Sequence, residues 1–306
     1  MSEESQYLDL VRDVLENGDL EKGRNGDTLA VFGRMMRFSL KDGKMPILTT
    51  KHVAWKTCFR ELMWFVRGRT DNKELQAQGV HIWDANATRE FLDSRCLTEY
   101  PEGILGPIYG YQWRNFNAPY SSSQANHSDT AAWGITGSVD LEDPSLRVDQ
   151  LQQIIDALSD PTQRYSRRLI MTAWNPAQIE QMALPPCHVL AQFSVKGNRL
   201  SCALYQRSGD VGLGVPFNIA SYSFLTHLLA HHCGLEAHEF VHFLGDTHVY
   251  VEHEAGLREQ LTREPLAFPR IRVGSKKERI EDYELEDLEF LEEYRHHPKI
   301  VLPLVA

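Results

Sequence analysis

The sequence is 306 residues long, and its 42% hydrophobic and 24% charged residues are typical of a folded globular protein. This composition excludes a disordered or a collagen-like chain. The formal charge of −10, from 32 basic and 42 acidic side chains, argues against a nonspecific grip on nucleic-acid phosphates, which needs a basic surface. The net charge does not exclude the binding of a small phosphorylated substrate by a few local arginines.

Signals for membranes, export and disulfides are weak. No apolar run approaches the roughly 20 residues of a membrane helix, and residues 1–6 lack the basic and apolar regions of a signal peptide. The five cysteines are an odd number and contain no Cys-x-x-Cys pair, which argues against a disulfide scaffold or a thiolate zinc site. We therefore expect a cytoplasmic protein with reduced cysteines.

The apolar periodicity predicts a chain that mixes helices and strands. Helices are predicted over residues 6–17, 55–66, 90–94, 151–158 and 217–233. Strands and turns are predicted over residues 24–48, 168–174, 189–195, 199–205, 241–244 and 271–273. Residues 115–147 show no periodicity and are interpreted as a surface-loop insertion. Because nothing repeats and no linker-like segment divides the chain, we expect one α+β domain over residues 1–306.

Cys187 is the first candidate for chemistry, since it follows the run Leu184-Pro185-Pro186. Two consecutive prolines stiffen the backbone that enters the cysteine, which suits the aiming of a thiol. A thiolate is a strong nucleophile towards electron-poor carbon. The alternative is a structural cysteine buried in the core, and this motif alone does not decide between the two.

A second candidate segment runs from Tyr205 to Tyr222. Arg207 and Ser208 supply a guanidinium group and a hydroxyl group that suit a phosphate. Asn218 offers a donor and an acceptor on one amide, which matches a pyrimidine edge with N3–H and O4. The alternative is a glycine-rich turn in which Asn218 caps the next helix. The glycines that would allow a close backbone approach are Gly209, Gly212 and Gly214.

Two residue pairs are further candidates for binding. Arg167 and Arg168 precede a predicted strand, where adjacent arginines are commonly solvated. His248 and Tyr250 would share one face of an extended chain and could bind a sugar hydroxyl together, or simply be half-buried rings. The sequence has no His-Glu-x-x-His, Gly-x-Gly-x-x-Gly, Walker or Gly-x-Ser-x-Gly motif, so metal, dinucleotide, NTPase and serine-hydrolase chemistry lacks support.

Several runs follow one another in an order that chance agreement does not explain. They include Arg60-Glu61-Leu62-Met63-Trp64-Phe65, His81-Ile82-Trp83-Asp84 and residues 105–114, 166–168, 174–176, 182–188, 206–222 and 245–250. In this order they resemble the thymidylate synthase family over nearly the whole chain. The resemblance implies an α+β fold on a large mixed sheet with flanking helices, and homodimers that pack sheet against sheet.

The resemblance also implies a reaction and the residues that perform it. The family methylates dUMP at C5 with 5,10-methylenetetrahydrofolate, which is donor and reductant, and releases dTMP and dihydrofolate without a metal. By resemblance, Cys187 adds to C6 of the uracil, and Glu61 and Tyr109 handle protons through ordered water. The other residues assigned to catalysis by resemblance are Arg207, Asp210 and Asn218.

The binding residues are likewise implied by the resemblance. Arg207 and Ser208 would bind the phosphate, helped by Arg167 and Arg168 of a partner chain. Asn218 would select uracil over cytosine. The other dUMP contacts implied are Arg24, Gln206, Gly209, Asp210 and, at the 3′-hydroxyl, His248 and Tyr250. Asp210 would also anchor the folate pterin, and the folate contacts implied beside it are Lys51, Ile82, Trp83, Leu184, Gly214, Phe217 and Val305. Residues 304–306 resemble a segment that closes over both ligands.

The sequence departs from the family pattern at the Arg24 loop. The family usually has Arg-Thr-Gly-Thr-Gly-Thr, whereas residues 24–28 read Arg-Asn-Gly-Asp-Thr, which is one residue shorter and adds an acid. Gly209 also replaces the usual Cys. Two alternatives stay open: a hydroxymethylase of dUMP on the same fold, with water in place of hydride, and a catalytically silent homologue that binds nucleotide or RNA. The retained Trp83 argues against the first, and the charge of −10 argues against RNA.

Overall fold

A six-stranded mixed sheet lies at the centre of the structure, a computed structural model that describes residues 2–23, 26–121 and 147–304. Its strands are β1 (Asp19–Gly23), β2 (Gly26–Ser39), β3 (Ile170–Thr172), β4 (His188–Lys196), β5 (Arg199–Asp210) and β6 (Glu236–Tyr250). Their order is β1-β2-β6-β5-β4-β3, and β5 and β6 pair in parallel while the other neighbours pair antiparallel. The predicted mixed sheet is therefore confirmed.

Helices flank this sheet and share one hydrophobic core with it. The α-helices of the described residues are α1 (Ser5–Asn17), α2 (Trp55–Val66), α3 (Asn72–Gln76), α4 (Arg89–Ser94), α5 (Tyr109–Asn115), α6 (Gln150–Ser159), α7 (Gly214–His232) and α8 (Glu254–Gln260). A separate antiparallel pair consists of β7 (Ile271–Val273) and β8 (Leu288–Phe290). The expected α+β class in a single domain is confirmed.

Helix α7 is the crossover that the parallel pair β5–β6 requires, because parallel neighbours cannot be joined by a tight hairpin. Nearly all of its side chains are buried, since α7 packs on β5, β6 and α2. Pro216 lies in its first turn, where the missing N–H costs nothing. The helix therefore begins at Gly214, three residues before the predicted start, and Asn218 lies inside it. The alternative reading of Asn218 as a helix cap is wrong.

Two strands are longer than the sequence pattern predicted. Strand β5 continues past residue 205 to Asp210, and β6 spans 15 residues instead of four. Both are inner strands with a hydrogen-bonded neighbour on each side, so pairing extends them through polar residues such as His242 and Thr247. Helices α3, α5 and α8 were not predicted, because five to seven residues carry too little periodicity.

The predicted loop over residues 115–147 is only partly covered by the structure. Residues 122–146 lie outside the described part. At its base Phe116 and Val148 form an antiparallel bridge, so the chain enters and leaves this segment side by side.

One face of the sheet carries an apolar row. Met35, Phe243 and Tyr205 are register partners on β2, β6 and β5, and partners in register project on the same face. Their exposed fractions are 51%, 44% and 41%, respectively. Exposed apolar groups side by side on a sheet are typical of an interaction surface.

Candidate active site

Cys187 lies at the entrance of β4 and is held by its backbone on two sides. Its carbonyl accepts from the Arg207 N–H at 2.9 Å, and its own N–H donates to the Tyr109 hydroxyl at 2.7 Å. Its Sγ lies 3.8 Å from Nη2 of Arg207. The thiol, the guanidinium and the phenol therefore meet at one point, although they come from three separate segments of the chain.

The arginine beside the thiol is fixed by the two prolines that precede it. Arg207 donates from Nε to the Pro186 carbonyl at 2.9 Å and from Nη2 to the Pro185 carbonyl at 3.0 Å. Its guanidinium carbon lies 5.6 Å from the ring centroid of Trp174. Nη1 has no hydrogen-bond partner within the described ranges. The two prolines thus stiffen the backbone that enters Cys187 and also orient the Arg207 guanidinium. The Nη1 edge of the guanidinium remains available to an anion.

The pKa of the Cys187 thiol is raised, because burial outweighs the opposing effects of the Arg207 charge and the Tyr109 hydroxyl. The protein without ligands accordingly holds a thiol and not a thiolate. Arg207 nevertheless offsets part of the burial penalty, so the charged form is less costly here than in an apolar pocket.

Glu61 is the buried acid of α2, and it lies among apolar side chains with 9% exposed surface. Burial raises its pKa from 4.5 to about 7, although the Trp83 indole N–H, which donates to the carboxyl at 2.8 Å, opposes this shift. Near pH 7 both protonation states are populated. A carboxyl group of this kind can take up and return a proton during a reaction.

Tyr109, at the start of α5, packs against Phe65 and Trp83 at centroid distances of 4.9 and 6.0 Å. Burial, together with the nearby Cys187 and Glu61, raises its pKa well above 10. The phenol therefore keeps its proton. Because its oxygen already accepts from the Cys187 N–H, its own O–H is available to a second acceptor.

His188 follows Cys187 in the chain and forms a hydrogen bond with Asn218. Asn218 is buried in α7, and His188 packs between the rings of Tyr109 and Tyr222 at 5.1 and 5.3 Å. Burial lowers the pKa of His188 to about 4, and a hydrogen bond with Asn218 only partly opposes this. The imidazole is neutral at pH 7, so it does not serve as a cation for the thiol.

Asp210 is the last residue of β5. It accepts from the N–H groups of Gly212 at 2.8 Å and Leu213 at 3.3 Å, and its Oδ1 lies 3.5 Å from Nδ1 of His253. Burial would raise the pKa of Asp210, but His253 and the amide bonds outweigh it and lower the pKa below its usual value. Asp210 is therefore an anion throughout the neutral range.

Lys51 lies inside the protein and not at its surface. It is 5% exposed, and its ammonium group donates to the Gly212 carbonyl. Burial lowers its pKa to about 8, against the attraction of Asp210 and Glu4. In this conformation Lys51 supports the turn after Asp210, and its predicted contact with a glutamate tail stays a prediction.

The parallel pairing of β5 and β6 brings the remaining polar candidates together. Ser208 pairs with Asp246, and Asp210 pairs with His248. Nδ1 of His248 lies 2.6 Å from the Asp246 carboxylate, and the rings of His248 and Tyr250 meet edge to face at 5.4 Å. His248 and Tyr250 thus lie together at the ends of these strands, as the two-residue spacing predicted.

Gln206 is placed differently from the substrate contact that the resemblance implies. It is 2% exposed, its Nε2 donates to the Ser208 carbonyl at 2.9 Å, and its Oε1 accepts from Nε2 of His242 at 2.8 Å. The amide therefore supports the backbone of β5 at Ser208 from the buried side of the sheet. At Gly209 a Cβ would come within 3.0 Å of Leu244 and Val215, so this position is packed from the core side.

Two predicted residues lie away from this cluster, and two others are not described by the structure. Arg167 and Arg168 are exposed at the far end of the β3–β4 pair, where the Phe193 N–H donates to the Leu169 carbonyl. Phe193 is six residues along β4 from Cys187, which is about 20 Å of strand. Arg24 and Val305 lie outside the described residues.

The apolar candidates lie in the hydrophobic core or pack against it. Trp83 is buried against Glu61, while Ile82, Leu184 and Phe217 are half-buried at the edge of the core. A Cβ on Gly214 would lie 3.7 Å from Asp210 Cβ and 3.8 Å from the Asn218 side-chain oxygen, so this glycine borders both polar groups.

The described ranges contain no set of three or more His, Cys, Asp or Glu side chains placed to hold a metal ion. None of the helices in them is both long enough and apolar enough to cross a membrane. All five cysteines are free thiols.

A rigidly held thiol beside a fixed cation, with a phenol that interacts with both the thiol and a titratable carboxyl, is an arrangement typical of enzymes that use a cysteine nucleophile. The family model "Thymidylate synthase" matches residues 5–306. The chain is 49% identical to the thymidylate synthase of equine herpesvirus 2 (strain 86/87) over 98% of this chain and 97% of that protein. It is 47% identical to the human thymidylate synthase over 99% of this chain and 91% of that protein. The chain belongs to the thymidylate synthase family.

Proposed function

We propose that this protein catalyses the reductive methylation of dUMP at C5 by 5,10-methylenetetrahydrofolate, which yields dTMP and dihydrofolate. The observation that carries the proposal is the contact of the Cys187 thiol with the Arg207 guanidinium, within a chain that belongs to this family over nearly its whole length. Hydroxymethylation and a silent binding protein are not favoured, because the relatives are named as thymidylate synthases.

Arg207 has two tasks in this proposal. Its free Nη1 edge binds the dUMP phosphate together with the Ser208 hydroxyl, while its other edge stays on the prolyl carbonyls. The nucleotide is thereby anchored with the uracil above Cys187. As the nucleotide binds beside Arg207, the Cys187 thiol loses its proton to water, and the Sγ–C6 bond forms while the electrons of the C5–C6 double bond move towards O4, so that C5 becomes nucleophilic.

Glu61 and Tyr109 manage the protons of this step. At neutral pH Glu61 exchanges a proton through ordered water with the enolate oxygen at O4, since its pKa is about 7. Tyr109 is a protonated phenol with a free O–H, and it directs water at C5, where a proton must leave.

Asn218 reads the uracil edge, and His188 supports it. The Asn218 amide presents a donor to O4 and an acceptor to N3–H, a pattern that uracil matches and cytosine does not. A neutral His188 leaves no charge near this edge, so the selection depends on hydrogen-bond geometry alone. His248 and Tyr250 hold the sugar at the end of β6.

The folate site lies on the Asp210 side. Asp210, ionised and partly exposed, accepts from the N–H groups of the pterin. Trp83, Leu184 and Phe217 supply the apolar walls beside it. These residues fit a flat, partly polar ring system, and no metal is needed for the chemistry.

The proposed enzyme is a homodimer whose two subunits pack against each other through the apolar row Met35–Phe243–Tyr205. Arg167 and Arg168 lie about 20 Å along the strand from their own Cys187, so they are suited to the phosphate of the partner's nucleotide. Mixing Cys187→Ser with Arg168→Ala subunits should restore activity, because each heterodimer has one intact site. Restoration without exchange of subunits, or none with it, contradicts the arrangement. The cytoplasmic location stays a prediction.

Product analysis tests the reaction itself. The protein is mixed with dUMP and 5,10-methylenetetrahydrofolate, and we expect dTMP and dihydrofolate in equal amounts. Cys187→Ser should give no product, whereas the exposed Cys96→Ser should match the parent. Formation of 5-hydroxymethyl-dUMP without dihydrofolate would identify the hydroxymethylase instead, and a Cys187→Ser variant as fast as the parent would remove the mechanism.

A further inference from the structure

His253 occupies a position between two groups that both accept hydrogen bonds. It is fully buried at the start of α8, its Nε2 lies 2.7 Å from the Pro303 carbonyl, and its Nδ1 lies 3.5 Å from the Asp210 carboxylate. The carbonyl belongs to residues 300–304, here called the C-terminal segment, and the carboxylate belongs to the proposed folate site. One imidazole therefore spans the two.

The residues around His253 leave space for its imidazole ring. A Cβ on Gly212 would come within 2.4 Å of His253 Nδ1, so any larger residue at position 212 would displace the imidazole. The Tyr250 ring meets it edge to face at 5.5 Å. Lys51 lies on the other side of the turn and donates to the Gly212 carbonyl. The Asp210 carboxylate therefore remains available to His253.

The C-terminal segment also packs directly on α8. A Cβ on Gly256 would lie 2.7 Å from Leu302 Cδ2 and 2.8 Å from Ile300 Cγ2. The two side chains thus fill the space that the glycine leaves, and the bond from His253 to Pro303 extends this contact towards Asp210.

We propose that His253 is a positioning residue that joins the C-terminal segment to the Asp210 carboxylate, with one ring nitrogen for each. The proposal rests on the proposed function, since it assigns the segment to the folate side of that site. His253 touches no substrate in it. His253 orients the Asp210 carboxylate, which receives the pterin, and it keeps the C-terminal segment beside the proposed folate site.

The protonation state of His253 decides whether both links exist. A neutral imidazole has one N–H, so it can donate to Pro303 or to Asp210 but not to both. Burial would lower the pKa of His253, but the 3.5 Å contact with the Asp210 carboxylate and its charge, together with the hydrogen bond to Pro303, outweigh it and raise the pKa above 6.5, while Lys51 opposes them. Among the described residues, Tyr250 is the other titratable group that faces the ring. The double link is therefore present at low pH and is lost as the pH rises through the raised pKa.

The test compares His253→Gln with His227→Asn. His227 is a matched control, because it is also a buried histidine with Nε2 on a backbone carbonyl (Lys44, 2.9 Å), but it lies away from Asp210. The readouts are the methyl NMR order parameters of Leu302 in the unliganded full chain, and the KM for folate and Kd for dUMP between pH 5.5 and 8.5.

We expect His253→Gln to loosen Leu302 and to raise the folate KM roughly tenfold at low pH, with the dUMP Kd unchanged. In the parent the same loosening should set in as the pH rises, whereas in His253→Gln it should be independent of pH and His227→Asn should follow the parent. Gly256→Ala, which pushes the C-terminal segment outward, should raise the folate KM while retaining the pH dependence.

Three results would overturn the proposal: an unchanged Leu302 signal in His253→Gln, a pH profile that this variant keeps, or an equal loss of dUMP affinity. A parent that makes no dTMP, but whose Leu302 signal responds to pH and to His253→Gln as described, would instead refute the proposed function and leave the link intact.

Discussion

Replacing Glu61 by Gln should stabilise the folded protein, and more so as the pH rises. Folding raises the pKa of this carboxyl from 4.5 to about 7. The neutral acid is therefore favoured in the folded chain, and its contribution to stability is fully present below pH 4.5 and is lost as the pH rises through 7. The interval of about 2.5 pH units corresponds to about 3 kcal/mol.

The amide of Gln has no proton to lose, and its oxygen can still accept from the Trp83 indole N–H. The difference in unfolding free energy between Glu61→Gln and the parent should thus grow from pH 5 and level off above pH 7, about 3 kcal/mol higher. Urea unfolding at half-unit steps of pH measures it, while turnover should fall sharply at every pH.

A surface carboxylate provides a control of opposite sign. Glu239 has a lowered pKa, because its hydrogen bond and ion pair with Arg37 outweigh its partial burial. Its contribution is lost as the pH falls below its usual pKa of 4.5, so the stability deficit of Glu239→Gln should grow as the pH rises towards 4.5 and stay constant between pH 5 and 8. A Glu61→Gln difference that does not change between pH 5 and 8 would refute the assignment of a proton-exchanging carboxyl.

Three further changes test other parts of the site. Arg207→Lys should weaken dUMP binding roughly tenfold or more, measured by calorimetry, because an ammonium group cannot hold two prolyl carbonyls and a phosphate at once. In the same variant the pH at which the Cys187 thiol is alkylated should rise. Trp83→Phe removes the indole donor and should raise the pKa of Glu61 by about one further unit, seen by carboxyl NMR. Glu4→Gln should lower the free energy of unfolding in urea by roughly 2–4 kcal/mol. The buried Glu4 side chain accepts five hydrogen bonds from two threonines, and a Gln offers an N–H in place of one acceptor. An unchanged value in any of the three variants would contradict the corresponding contact.

Local sequence signals located the strongest elements of this fold and the nucleophile candidate. The apolar run from Trp55 to Val66 predicted helix α2 with its observed bounds, because most of its side chains are buried and its periodicity is clear. The two prolines before Cys187 indicated a fixed thiol. Both features depend on residues that are neighbours in sequence, so a local pattern is enough to detect them.

Features that depend on distant pairing were not detectable in the same way. The prolyl carbonyls accept from Arg207 only because β4 and β5 pair, and nothing in a Pro-Pro dipeptide indicates an acceptor for a cation 21 or 22 residues further along the chain. Gln206 looked available for substrate, but its partner His242 comes from another strand. Lys51 is assigned by resemblance to the folate, and its buried contact with the Gly212 carbonyl depends on the turn after Asp210.

The sheet order also has a consequence for how the chain folds during synthesis. Strand β2 lies between β1 and β6, so one of its long edges has no partner until residue 250 is made. At about 5–20 residues per second, the ribosome needs roughly 10–40 s to reach that point. Throughout this interval a strand that contains Phe32, Met35 and Phe38 exposes open backbone groups, which makes it a natural target for chaperones and a site where nascent chains can associate.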